Sequence, residues 1–332
     1  MRRSFFFVAA GVTALVTCSP VDPSELAPLS RRADTSCTAA ADGFASLNGG
    51  TTGGAGGTVV TVSTQADLEK YAKASGKYII KVKGKITISP KGTEIPISSD
   101  KTIHGLGATG EIFEGGFGLS SGVKNVIIRN LKIGNTYDGD PDGKTHDWDG
   151  IQADTANNIW VDHCIFERGA DGLIDSRKDT NYLTVSNTIF RHHNKAFGIG
   201  WTDNVVAQIT LHHSWFQNTT QRNPSADNIK YAHLYNNYLT DVTSYGHYAR
   251  GKTAMRMENV YFKSTKNPVT RDDTATLAAS GNTYSGTSGT IAGNSGTVFK
   301  ATDYYKYTLD ATANVPSIVQ AEAGPKASIC PS

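Results

Sequence analysis

The chain has 332 residues, 38% of them hydrophobic, with 34 glycines and a formal net charge of +2. Removing residues 1–32 takes away four of its 32 basic and two of its 30 acidic residues, leaving 28 of each. So even a balance excludes a nucleic-acid binder that relies on a basic surface, while about 300 residues suffice for one large core.

At the N-terminus, Arg2 and Arg3 precede FFFVAAGVTALV, an apolar run too short to span a bilayer and placed as an export signal, expected over residues 1–18. The polar stretch after it ends in Arg31–Arg32, so a propeptide over residues 19–32 is expected, with a plain linker as the alternative. One domain then occupies residues 33–332. No later stretch is apolar enough for a membrane-spanning helix, so the expectation is a secreted, extracellular monomer with no membrane partner. Export permits a disulfide. Cys18 lies in the export segment, and the pairing expected is Cys37–Cys330, because Cys164 lies in a strand pattern that suits a buried free thiol.

The middle of the chain carries a repeat. VIIRNLKI, IWVDHCIF, LTVSNTIF, ITLHHSWF, AHLYNNYL and MRMENVYF begin at Val126, Ile159, Leu183, Ile209, Ala232 and Met255, with steps of 33, 24, 26, 23 and 23 residues. First and third positions are apolar and alternate with mostly polar ones, the period of a strand. A leucine-rich horseshoe needs a leucine-dense consensus that is absent, and a propeller blade needs about twice this period. The pattern predicts an all-β parallel β-helix, one coil per repeat, with equivalent residues stacked about 4.8 Å apart. Asn130, His163, Asn187, His213, Asn236 and Asn259 then stack, and their side chains are expected to bond along the axis as in amide ladders. Ile133, Phe166, Phe190, Phe216, Leu239 and Phe262 form an internal apolar column. The longest step contains TYDGDPDGKTHD, residues 136–147, an excursion from one coil.

Residues 147–179 hold eight carboxylates. Asp147 and Asp149 are two apart, Asp171 and Asp175 four apart, and Asp149 to Asp171 is 22 residues, about one coil. Two carboxylate pairs thus meet on adjacent rungs of one face, where four acids repel unless a cation lies among them. Hard oxygen donors suit Ca²⁺ better than Zn²⁺. A solvated acidic face is the alternative, and the acids alone leave the two open. Lys195 follows Asp175 by 20 residues and Arg222 follows Lys195 by 27, placing a lysine and an arginine along the same groove, a bed for an extended polyanion. Asp162, Glu167 and Asp179 are read as coil surface, and Asp154 is left unassigned. Asp138, Asp140, Asp142, Gly143 and Asp149 imitate an EF-hand loop, but Pro141 interrupts it and no amphipathic helices flank it. Asn218-Thr219-Thr220 is a glycosylation acceptor.

WVDHCIF, ADGLID, HHNKAFGIG, QRNP and NPVTR, in this order, resemble the extracellular pectate lyases of polysaccharide lyase family 1, over roughly residues 60–284. The resemblance implies a right-handed parallel β-helix and Ca²⁺-dependent β-elimination of polygalacturonate, giving 4,5-unsaturated oligogalacturonides. It further implies that Asp149, Asp171 and Asp175 ligate Ca²⁺, with Asp147 a ligand in some members. Lys195 neutralises the substrate carboxylate, and Arg222 takes the C5 proton. Arg177 and Arg250 match residues that contact substrate carboxylates, and Trp160 and His163 belong to a structural signature. An arginine is ordinarily always protonated. An alkaline optimum is therefore expected, and the alternative is that Arg222 stabilises charge while Lys195 or hydroxide is the base. One departure is Asp227, where many members carry a second arginine. A pectin lyase has no use for the three aspartates, and a polygalacturonase has none for the Lys195/Arg222 pair.

Overall fold

A computed structural model describes Met1 and residues 39–120 and 122–331. The chain divides into two units, Met1–Arg31 and Arg32–Ser332, and every element below belongs to the second. Apart from Met1, the expected export signal lies outside the described residues, as do the dibasic pair and Cys37. Cys330 is disulfide-bonded, and Cys164 is free and buried, as expected.

The expected repeat is a solenoid of parallel strands, a right-handed parallel β-helix. The central coils supply strand to each of three faces, and the terminal coils to fewer. The first face is a ten-stranded sheet in which Val126, Ile159, Leu183, Ile209, Ala232 and Met255 stand in register. These residues and those two positions on are buried in one continuous core. The second face carries the apolar column, with Ile133, Phe166, Phe190, Phe216, Leu239 and Phe262 all fully buried. Phe190 stacks on Phe216 with ring centroids 4.7 Å apart. The third face includes the strands Gly116–Leu119, Ile151–Asp154, Gly172–Arg177, Ser225–Asp227 and His247–Arg250. The long strand Ile189–Gly200 bends from the second face onto the third. The helix Gln65–Lys73, capped by the Thr64 side chain on the Asp67 N–H, tucks Leu68 and Ala72 into the core.

The Asn/His column departs from the expectation. All six residues hold positive φ, between 47° and 57°, at the bend between the first and second faces. Asn tolerates this left-handed geometry best among residues with a Cβ, and His is also enriched there. What runs along the column is a backbone ladder: Asn187 N–H donates to the His212 carbonyl, His213 to Tyr235, and Asn236 to Glu258. The side chains do not form a continuous ladder but tie down other segments. Asn236 Nδ2 donates to the Asp310 carbonyl at 3.0 Å and Asn130 Nδ2 to that of Ile329 at 3.0 Å.

Asp162 and Glu167 also correct the sequence reading, for neither is surface. Asp162 is 1% exposed. It accepts from Arg129 Nε at 2.7 Å, His163 Nδ1 at 2.6 Å and Ser186 Oγ at 2.7 Å. Burial alone would raise its pKa, but His163 and Arg129 outweigh it and hold the carboxyl well below the usual range. A second layer lies outside the first sheet beside it: Ala39 and Ala45 pack on Ile127 and Trp160. Glu167 is buried between Lys132 at 2.9 Å and Arg191 at 2.6 Å.

Candidate active site

The third face positions the acids. Asp149 stands two residues before the strand Ile151–Asp154, Asp171 immediately precedes the strand Gly172–Arg177, and Asp175 lies within it. In register, Gln152 faces Asp175, Asp154 faces Arg177, and Gly172 faces Lys195. The expected acids therefore converge, though not in a straight column. Oxygen atoms of Asp147, Asp149 and Asp171 lie within 4.8 Å of one another. Asp175, on the strand that Asp171 precedes, comes close to the same spot: a Cβ on Gly172 would lie 2.8 Å from Asp149 Oδ1 and 3.0 Å from Asp175 Oδ1. Only glycine leaves this space open.

Electrostatically the cluster is under-compensated. Asp149 is fully buried, and its Oδ1 accepts the Gly172 N–H at 2.6 Å while Oδ2 has no partner. Burial first, then Asp175, Glu94 and Asp147, push its pKa well above the ordinary range. Burial likewise raises Asp175 to about 7, although Arg222 pulls it back. Arg222 Nη1 stands 3.4 Å from Asp175 Oδ2, and its guanidinium lies 4.9 Å from the ring centre of Trp201. Lys195 Nζ is ion-paired with Asp171 and donates to the Gly143 carbonyl at 2.9 Å, tying the 136–147 excursion to the site. His193 Nε2 donates to the Asp171 carbonyl at 2.6 Å.

Arg177 lies beside the acids, paired with Asp154 at 2.8 Å and Asp147 at 3.3 Å; these partners raise its pKa further. Asp154, unassigned from sequence, is thus its counter-ion, shared with Lys178 at 2.7 Å. Asp147 is 57% exposed, on the rim. Arg250 is exposed over the Tyr248 ring, in register with Asp227, on the third strand beyond Gly172–Arg177. Asp171, Asp175, Arg177, Lys178, Trp201 and Arg222 line a cleft of about 240 Å³. Asp138 and Asp140 do not converge on an ion site: Asp140 accepts the N–H groups of Asp142, Lys144 and Thr145, and Asp138 pairs with His146.

Two neighbours were missed. Glu94 accepts the Asp149 N–H at 3.0 Å and is raised to about 7, chiefly by burial. Its strand, Glu94–Pro96, precedes the recognisable repeats, so only the coil period carried upstream could have placed it. Trp201 follows the HHNKAFGIG motif and has no periodic signal.

Fold and groove together define a parallel β-helix protein with a charged cleft on one face. A pectate lyase family model matches residues 23–328, and the chain belongs to that family. A pectate trisaccharide-lyase of Bacillus licheniformis is 35% identical over 301 residues, 85% of each chain. One from a Thermotoga species is 41% identical over 211 residues, 60% of this chain and 57% of its own; the chain thus spans little more than half of that relative. Among solved structures, a pectate lyase from a Bacillus species in complex with trigalacturonate superposes with a TM-score of 0.75 at 27% identity, over 87% of this chain and 99% of its own.

Proposed function

We propose that this protein is a secreted, Ca²⁺-dependent pectate lyase that cleaves polygalacturonate by β-elimination. The observation that carries the reading is the under-compensated cluster itself: a buried Asp149 with an unpartnered oxygen, Asp175 raised by burial, and a gap kept open by Gly172. Four carboxylates form a hard, all-oxygen donor set, which fits Ca²⁺. Asp149, Asp171 and Asp175 would hold the ion, with Asp147 from the rim. The bound ion would supply positive charge against the C6 carboxylate of a galacturonate unit, acidifying the C5 proton.

The chain's own groups do the rest. Lys195, on the same edge of the cluster, neutralises the substrate carboxylate and the negative charge that builds on it as C5 is deprotonated. Arg222, held over the cleft by Asp175, accepts the C5 proton through a guanidine nitrogen. The C5–H electron pair becomes the C4=C5 double bond, the C4–O bond breaks, and the leaving glycosidic oxygen takes a proton from water. An arginine acts as a base only in its neutral form, so the rate rises toward alkaline pH. Arg177 and Arg250 bind flanking carboxylates. The relative solved with trigalacturonate supports the substrate class. Residues 1–18 act as the export signal and 19–32 as a propeptide; among the described residues no helix is long and apolar enough to cross a membrane.

The test is the ultraviolet absorbance of unsaturated product from polygalacturonate at alkaline pH. Absorbance that requires Ca²⁺ and disappears with chelator is expected. Chelator-insensitive product from esterified pectin, or none from either, overturns the reading.

A further inference from the structure

We infer that Trp201 is a substrate-binding residue, the wall of the cleft on which the C–H face of a galacturonate ring stacks. This rests on the uronate cleft proposed above and names how that cleft holds a sugar.

Of the six side chains that line the cleft, five are charged and Trp201 alone is apolar. It is 44% exposed, one of few large apolar side chains so open among the described residues. An indole left open among charges costs hydration and calls for a reason. Two backbone features hold it there. Trp201 has φ +52°, a left-handed bend that disfavours a bulky side chain. A Cβ on Gly198 would collide with the indole and would lie 2.6 Å from Asp175 Oδ1. Gly198 is therefore the floor on which the ring edge rests, beside Asp175. The Arg222 guanidinium, 4.9 Å from the ring centre, steadies it further.

A polyuronate offers two chemistries to such a cleft. Its carboxylates meet Arg177 and Lys178. The faces of its pyranose rings carry C–H groups, made slightly positive by the oxygens around them, and Trp201 is the one surface in the cleft that matches them. The electron-rich indole face attracts such groups as it attracts the positive edge of another ring. The contact is uncharged, so salt leaves it in place, whereas the carboxylate contacts weaken with salt.

The experiment is calorimetric titration of trigalacturonate into the full Ca²⁺-loaded protein and its Trp201→Ala and Trp201→Phe variants, at low and high NaCl, with unsaturated-product kinetics and melting temperature alongside. Trp201→Ala is expected to weaken binding about five- to tenfold, the scale of one aromatic contact. It should raise KM to match, with kcat within about twofold and melting unchanged. Trp201→Phe should recover most of the affinity, and the wild-type to alanine ratio should persist at high salt. Binding by Trp201→Ala within twofold of wild type overturns the inference. So does a fall in kcat at unchanged KM, which would make Trp201 a positioning residue for Arg222, and so does a ratio that vanishes in salt. If the wild type binds trigalacturonate but releases no unsaturated product, the lyase reading fails while the binding data still decide on Trp201. No binding by the wild type overturns both.

Discussion

Two buried aspartates in this solenoid have opposite fates. Asp162, on the first sheet, is buried among Arg129, His163 and Ser186, and its carboxyl titrates below the ordinary range. Asp149, on the third face, is equally buried but stands among Asp175, Glu94 and Asp147 and is pushed upward. Burial penalises both in the same way. What separates them is whether the chain supplies the compensating charge. Where it does, the carboxylate is architecture; where it does not, the folded protein is left with uncompensated acids, which on the function proposed above would take a cation from outside.

Several experiments would break or sharpen this contrast. The largest effect is expected on catalysis: Arg222→Ala should lower kcat by at least about 10³-fold while leaving the melting temperature near wild type, measured by product absorbance and calorimetry. Next comes Asp162→Ala, which removes one charged partner from the buried Arg129 guanidinium. A loss of about 3–5 kcal/mol in urea denaturation is expected, with Ca²⁺ affinity retained in whatever fraction folds. Asp149→Asn should do the reverse, removing a destabilising charge so that chelator-treated protein gains about 1 kcal/mol in urea while activity disappears.

The pH dependence sharpens the same point. Asp175 is raised to about 7 in the folded state. Between pH 4 and pH 7 the folded protein therefore holds a proton there that the unfolded chain has released, and stability from this group falls as pH rises through that window. Asp162 works in the opposite sense: its contribution is complete above the ordinary carboxylate range and is lost only as pH falls below it. In chelator the melting temperature should drop between pH 5 and pH 8 by about 5 °C or more, and added Ca²⁺ should raise it far more at pH 8 than at pH 5. The smallest loss of stability belongs to the left-handed column. Asn236→Ala should cost about 1–2 kcal/mol, since alanine fits poorly at φ +50° and the bond to the Asp310 carbonyl is lost.

The coil period and the inward positions were legible because a solenoid repeats its core coil by coil, and a two-residue alternation reports which side faces in. The same arithmetic brought Asp149, Asp171 and Asp175 together and set Lys195 and Arg222 near them. It failed where something outside the repeat decides the environment. Asp162 points outward as its alternation says, yet Ala39 and Ala45 from far upstream cover the sheet near it, and no local pattern announces such a cover. The Asn column was read as side-chain bonding, whereas its recurrence follows from a backbone angle. Glu94 lies in a coil too irregular to align, and Trp201 in a bend with no period.

The most direct test is calorimetric titration of Ca²⁺ into chelator-stripped protein at pH 8, beside Asp149→Asn. One saturable site in the wild type, lost in the variant although it remains folded, is the predicted result. No saturable binding by the wild type, or equal affinity in Asp149→Asn, would contradict the claim that this under-compensated cluster is the cation site.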